Sequence, residues 1–409
     1  MIGMAGFAAS LMVIAVIISP CVYGKDLPDQ REIQVQKLLK RLNKPALKSI
    51  KSGDGDIIDC VPITTQPALD HPLLKNHTIQ MRPSFIPKGD HYTKKDAKAI
   101  TQVWHQNGEC PQNTVAIRRT TREEILRAKT IESFGKKTHQ STPGGHEHAI
   151  MDSGDGRFYG TQFAVNMWRP EVEVPSELSL AQTWLWSDSD DGLNTIEAGW
   201  QVYPGMYGDN NLRLFVYWTA NGYQPGSESS GCYNHACSGF VQRSNRITVG
   251  GSLSPMSNYD GGQYSLPHAY LEGTYRRSNS LVPKGKSGDN WWLMIRDELV
   301  GYWPGSLFNS LRNEAKRVQW GGEIVNMMTG GRHTDTDMGS GHFADEGFKK
   351  ASYFRNIMTV DGANTLREPQ RLSPWAAHGN CYNVKPGNGG TSFGNHFYFG
   401  GPGRNGNCP

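Results

Sequence analysis

Beyond residue 158 the chain is cut into short runs of aromatic and β-branched residues: "YGTQFAVNMWRP", "SLAQTWLW", "LRLFVYWTANG", "SGFVQRSNRITVGG", "DNWWLMIRDELVGYWP", "RVQWGGEIVN" and "NHFYFGG". Turn residues separate these runs at hairpin distances, and no alternation of strand with helix accompanies them. One stretch, "SLFNSLRNEA" at residues 306–315, carries a helical pattern. The body is therefore expected to be all-β, two packed antiparallel sheets forming a β-sandwich. The 47 glycines and 23 prolines supply turns for so many short elements.

The chain ahead of this body has a different character. Residues 1–24 hold the apolar run "AGFAASLMVIAVII" and then the small-residue site "VYGK". The run is too short to span a bilayer, so it reads as a signal peptide removed after Gly24, and the product as secreted. Residues 25–140 are basic and punctuated by proline. Val35, Leu38, Leu39 and Leu42 predict an amphipathic helix ended by Pro45, and Thr121 with Glu124 predicts a capping box. "KKTHQSTPGGHEHAIMDSGDG", residues 136–156, has the composition of a linker. A helix-bearing segment before such a junction reads as a pro-segment, smaller than the body at 141–409. Asn76-His77-Thr78 is a glycosylation triplet and predicts an exposed loop.

A net charge of +4, with the basic residues scattered, gives no reason to expect a nucleic-acid partner. Of seven cysteines, Cys21 leaves with the signal, and an even number in an oxidising compartment favours disulfides. Composition leaves the pairing open. Order along the chain suggests Cys60 with Cys110, Cys232 with Cys237, and Cys381 with Cys408.

Two strands carry an acid in an apolar setting. In "NTIEAGWQVYP", Ile196, Ala198, Trp200 and Val202 fall on one face, and Glu197, Gly199 and Gln201 on the other. In "RVQWGGEIV", Gln319, Gly321 and Glu323 repeat that order in reverse. If the two strands are antiparallel neighbours, the glutamates face each other at about 5 Å between Cβ atoms. Like charges so placed split their pKa values, leaving one carboxyl as acid and one as base to activate water. Gly199 and Gly321 would then leave room for a substrate backbone, and Gln201 and Gln319 would serve an oxyanion. The opposite reading is an ordinary glutamate on each solvent face.

Other chemistry is poorly supported. His333, Asp335, Asp337 and His342 lack any zinc-site spacing, no G-x-S-x-G is present, and every mature cysteine has a plausible mate, so no metal or cofactor is expected. A carboxylate-dependent glycoside hydrolase and a non-catalytic binding protein stay open on the same fold.

Taken together, "IEAGWQVYPGMYGD", "LFVYWTANGYQ", "GCYNHACSGFVQ", "VGYWP", "QWGGEIVN", "MGSGHFADEGFKKASYFRN" and "FGGPGRNGNCP" resemble the neprosin family of plant secreted proteins. "DCVPITTQPALDHPLLKNHTIQMRPS" and "CPQNTVAIRR" resemble that family's pro-segment. The resemblance implies an acid-active glutamic endopeptidase on a β-sandwich, made as a zymogen, with Glu197 and Glu323 matching the family's catalytic pair. It implies a preference for cleavage after proline. The expected partners are a peptide or protein substrate and the chain's own pro-segment as inhibitor, with no membrane partner after signal removal, in a monomer. Acid is expected to release the pro-segment as carboxylate partners of its Lys and Arg residues protonate.

Overall fold

The computed structural model describes residues 30–84, 87, 101–137, 145–190, 192–224, 230–267, 269–272, 290–388 and 393–409. The expected signal peptide and the expected 140/141 boundary lie outside the described residues. Among these residues no helix is long and apolar enough to cross a membrane.

The body is the expected antiparallel β-sandwich. One sheet has six strands: β1 (Gly145–Asp152), β2 (Ser179–Ser187), β3 (Asn194–Val202), β4 (Arg213–Thr219), β5 (Arg317–Asn326) and β6 (Ser373–Ala376). Their spatial order is β6-β1-β5-β2-β3-β4, antiparallel throughout. The second sheet has ten strands, with Gly160–Asn166 and Ser352–Val360 near its middle. Period-2 alternation decides what lies between the sheets. Ile196, Ala198, Trp200 and Val202 from β3, and Val318, Trp320 and Ile324 from β5, enter the core with Phe354, Phe397 and Trp292 of the facing sheet. Glu197, Gly199 and Gln201 consequently face away from it.

Two local expectations fail. Residues 306–315 form only 3-10 turns at Gly305–Leu307 and Ser310–Arg312, because their apolar residues Leu307, Phe308 and Leu311 plug the sandwich edge instead of forming a helical stripe. The "linker" contains β1, which is hydrogen bonded along both edges to β5 and β6. Its Gly, His and Ser content hid Ala149 and Met151, which sit in the core.

The pro-segment packs against this body, where Gln66 accepts from Gln242 N and Asp56 pairs with Arg213. Its helix Gln30–Leu42 buries Val35, Leu38 and Leu42, with Glu32 in the first turn and Lys40 and Arg41 in the last, as the helix dipole favours. Thr121 and Glu124 form the predicted capping box at the helix Arg122–Arg127. A three-stranded sheet of Lys48–Lys51, Ile57–Pro62 and Thr114–Arg118 lies between the two helices in sequence. All three suggested disulfides are present, Cys60–Cys110, Cys232–Cys237 and Cys381–Cys408. Asn76 is exposed, as a glycan acceptor must be.

Candidate active site

Glu197 and Glu323 point from the same face of the six-stranded sheet, but their strands are not neighbours. Strand β2 runs between them, pairing Trp184 with Glu197 and Leu180 with Glu323. The expected contact across one strand spacing is thus replaced by two spacings across and four residues along, about 16 Å of backbone. Gln182 of β2 occupies the gap, level with Gly199 on one side and Gly321 on the other. The two carboxylates meet through a third side chain. Lys137 Nζ lies 2.6 Å from Glu197 Oε2 and 3.1 Å from Glu323 Oε2. All three groups are buried, at 6% exposure for Lys137 and 0% and 2% for the acids.

Each glutamate has its own set of donors. Glu197 Oε1 accepts from the Tyr223 hydroxyl at 2.6 Å and from Thr195 Oγ1 at 2.9 Å. Glu323 accepts from Gln182 Nε2 at 3.0 Å, and its Oε1 lies 2.5 Å from His146 Nδ1. His148, beside it on β1, stands 3.8 Å from Glu323 and packs between Trp184 and Trp375. Burial alone would raise the Glu323 pKa, but the Lys137 ammonium and the His146 bond outweigh it and hold the carboxyl well below the usual range. Burial, reinforced by the Glu197 charge, pushes the Tyr223 phenol well above its ordinary value, so it stays a donor. The ammonium also lies over the rings of Tyr217 and Tyr223, at 5.4 and 5.9 Å from their centroids.

Lys137 belongs to the stretch that precedes the body, and the Cys232–Cys237 loop holds that stretch in place. Tyr233 N donates to Gly135 O at 2.8 Å, Lys136 Nζ donates to Gly231 O, and a Cβ on Gly135 would sit 2.1 Å from that of Ala236. A second anchor is Arg213, fully buried, whose Nη1 lies 2.6 Å from Asp56 Oδ2 of the pro-segment. Its Nη2 lies 2.6 Å from Asp209.

The glutamines and glycines need correction. Gln201 Nε2 donates to the Tyr207 hydroxyl, beneath the guanidinium groups of Arg118 and Arg213, so it supports the pro-segment's docking platform. Gln319 donates to Asp152. Each lies four residues along its strand from its own glutamate, with Gln201 level with Glu323 and Gln319 level with Glu197 two strands away, and neither amide bonds to the pair. Gly199 and Gly321 answer to their own sheet: a Cβ would lie 2.0 Å from Ala181 O at the first and 2.3 Å from Ala149 O at the second. The space they provide is filled by neighbouring backbone.

Lys137, His146, Gln182 and Tyr223 were missed. Gln182 had a signal, since it is the one amide in the apolar alternation of "SLAQTWLW". Lys137 had none, as it reaches Glu323 across 186 positions of chain. The sequence grouping of His333 with Asp335 and His342 does not form: Asp335 pairs with Arg404 and His342 with Glu346.

Among solved structures, a scytalido-glutamic peptidase with a transition state analog inhibitor aligns at 10% identity and TM-score 0.32, over 63% of this chain and 98% of that one. SCP-B, a member of the Eqolisin family of peptidases in a complex with the tripeptide Ala-Ile-His, aligns at 9% and 0.29, over 63% and 98%. Likeness at this level is too slight to bear on function. The family models are decisive: Neprosin activation peptide matches residues 49–154, and Neprosin matches residues 175–402, more than half of the chain. The chain therefore belongs to the neprosin family and carries that family's activation peptide.

Proposed function

We propose that this chain is the precursor of a secreted glutamic endopeptidase in which Glu197 and Glu323 activate water against a peptide bond. The observation that carries the proposal is the single buried ammonium, supplied by the activation segment, which bridges both carboxylates. An enzyme that works with two carboxyls is silenced when one cation neutralises both and fills the space between them.

With Lys137 withdrawn, two carboxyls share a buried face and cannot both ionise readily, so one takes up a proton. The ionised glutamate removes a proton from water as it attacks the carbonyl carbon, and the protonated one donates to the departing nitrogen. The peptide C–N bond breaks in a single displacement without an acyl-enzyme. Gln182 Nε2 and the Tyr223 hydroxyl, each already aimed at one glutamate, are the donors placed to orient water and stabilise the oxyanion. The need for one protonated carboxyl confines activity to acid. The rings of Tyr217, Tyr223 and Trp184 flank the pair and offer flat apolar faces to a pyrrolidine ring, which supports the preference for cleavage after proline that the family resemblance implies.

The deciding experiment is proteolytic removal of the activation segment from the purified precursor, followed by mass spectrometry of a peptide library incubated with it in acid. Hydrolysis that is absent from Glu197→Gln and Glu323→Gln supports the proposal. Peptides left intact by a fully processed chain that releases sugar from cell-wall polymers would overturn it in favour of a glycoside hydrolase.

A further inference from the structure

On the reverse face of β1, Glu147 points away from the glutamate pair. Two histidines from distant parts of the chain converge on it. His333 Nε2 lies 2.9 Å and His378 Nδ1 2.7 Å from the same oxygen, Glu147 Oε2. Asn326 Nδ2 donates to the other oxygen at 3.0 Å. Glu147 is buried at 2% exposure, whereas His378 is 55% exposed and opens on a cavity of about 690 Å³ that Arg332 also lines.

Hydrogen-bond accounting makes this cluster unusual. His333 Nδ1 lies 2.8 Å from the carbonyl oxygen of Thr334, which can only accept, so Nδ1 must carry a hydrogen. In the neutral ring Nε2 is then a bare lone pair, yet it faces a carboxylate that also only accepts. The arrangement needs one extra positive charge at Nε2, either a second ring proton or a metal ion. A ring fixed through Nδ1–H to a backbone carbonyl, with Nε2 free, is how metal-bound histidines are oriented.

We propose that Glu147, His333 and His378 form a binding site for a divalent transition metal of the zinc class. Their ligand atoms all lie within 4.8 Å of one another. Zinc takes imidazole nitrogen and carboxylate oxygen at about 2.0–2.2 Å, and three protein ligands leave a position open, here toward the cavity. Thiolate competition does not arise, since all six cysteines among the described residues are in disulfides. The backbone at His378 is pre-set, because Cys381 N donates to His378 O and Cys381 is fixed to Cys408. An ion here ties β1 to the segments that follow β5 and β6. It sits one residue from His146 and His148, which face Glu323 from the other side of the same strand.

The test uses the full-length precursor, stripped with chelator and titrated with Zn²⁺ near neutral pH by calorimetry, with melting temperature followed in parallel. One equivalent should bind and the melting temperature should rise. His378→Ala, at an exposed position, should cut affinity at least about tenfold, and Glu147→Gln should do the same. His342→Ala should leave affinity unchanged. X-ray absorption at the zinc edge should report two imidazoles and no sulfur, a readout that holds even if one variant folds poorly. No binding, equal binding in all three variants, or sulfur in the zinc shell would overturn the proposal and leave His333 as an imidazolium paired with Glu147. None of these outcomes bears on whether Glu197 and Glu323 cut peptides.

Discussion

The Lys137 ammonium lies 2.6 Å from the Glu197 carboxylate, and neither group is appreciably reached by solvent. Removing one partner of such a buried set is far more costly than its net worth, because the remaining charges lose both water and counter-ion. Lys137→Met is expected to lower precursor stability by about 3–5 kcal/mol near neutral pH. The loss should shrink in acid, where a glutamate can take a proton instead. Thermal melts of both proteins across pH check this.

The same contact sets the pH behaviour of the wild-type precursor. Glu323 has its folded-state pKa depressed, so the stabilisation it contributes is complete above the unfolded value, about 4.3, and is lost only as pH falls through the lower folded value. Mild acid alone should therefore leave the Glu323–Lys137 contact in place, where the sequence-based expectation has carboxylate protonation releasing the pro-segment. A precursor made uncleavable in the stretch after Lys137 is expected to stay inactive down to about pH 4, as followed with a quenched peptide.

Gly135 offers a way to loosen the docking without touching a charge. Its φ is +70° and its Cα faces the Ala236 methyl. Gly135→Val should weaken the seat of the activation segment by about 1–3 kcal/mol, roughly fivefold to 150-fold. The uncut precursor should then show measurable peptidase activity at acid pH, while the processed enzyme is unchanged.

Asp56→Asn probes the second anchor. Burial lowers the Arg213 pKa, but Asp56 and Asp209 together raise it above the ordinary value, so the guanidinium stays charged and needs both partners. Loss of the Asp56 charge is expected to speed dissociation of the cleaved segment by about a hundredfold, corresponding to ~3 kcal/mol. Surface plasmon resonance with immobilised body measures it.

In the processed enzyme, Gln182→Ala and Tyr223→Phe should each lower kcat by about tenfold to a thousandfold with small effects on melting temperature. Gln201→Ala should leave kcat unchanged, because its amide serves Tyr207.

What the sequence disclosed followed the range of the forces involved. Alternation along "NTIEAGWQV" told which face of β3 enters the core, since burial acts on each residue where it stands. The two glutamates stood out for the same reason, as acids on an otherwise apolar element. Strand order did not, because the 141 and 177 positions that separate Gln182 of β2 and His146 of β1 from Glu323 of β5 leave no local trace, and a mirror between two motifs looks the same whether the strands touch or have a third between them. Gln201 and Gln319 were drawn in by that mirror. Lys137 and His146 were hidden by composition: a stretch of Lys, His, Ser and Gly reads as solvent-exposed chain until a folded partner gives its charges somewhere to go.

The position of β1 has a consequence for how far maturation can proceed. The activation-peptide match runs to residue 154, yet Gly145–Asp152 is zipped into the interior of the sheet and delivers His146 to Glu323. Trimming of the new N-terminus is thus limited by the sheet itself. An exopeptidase that nibbled past His146 would strip a buried partner from Glu323 and leave β5 with a bare edge, so the strand sets how far the N-terminus can be shortened.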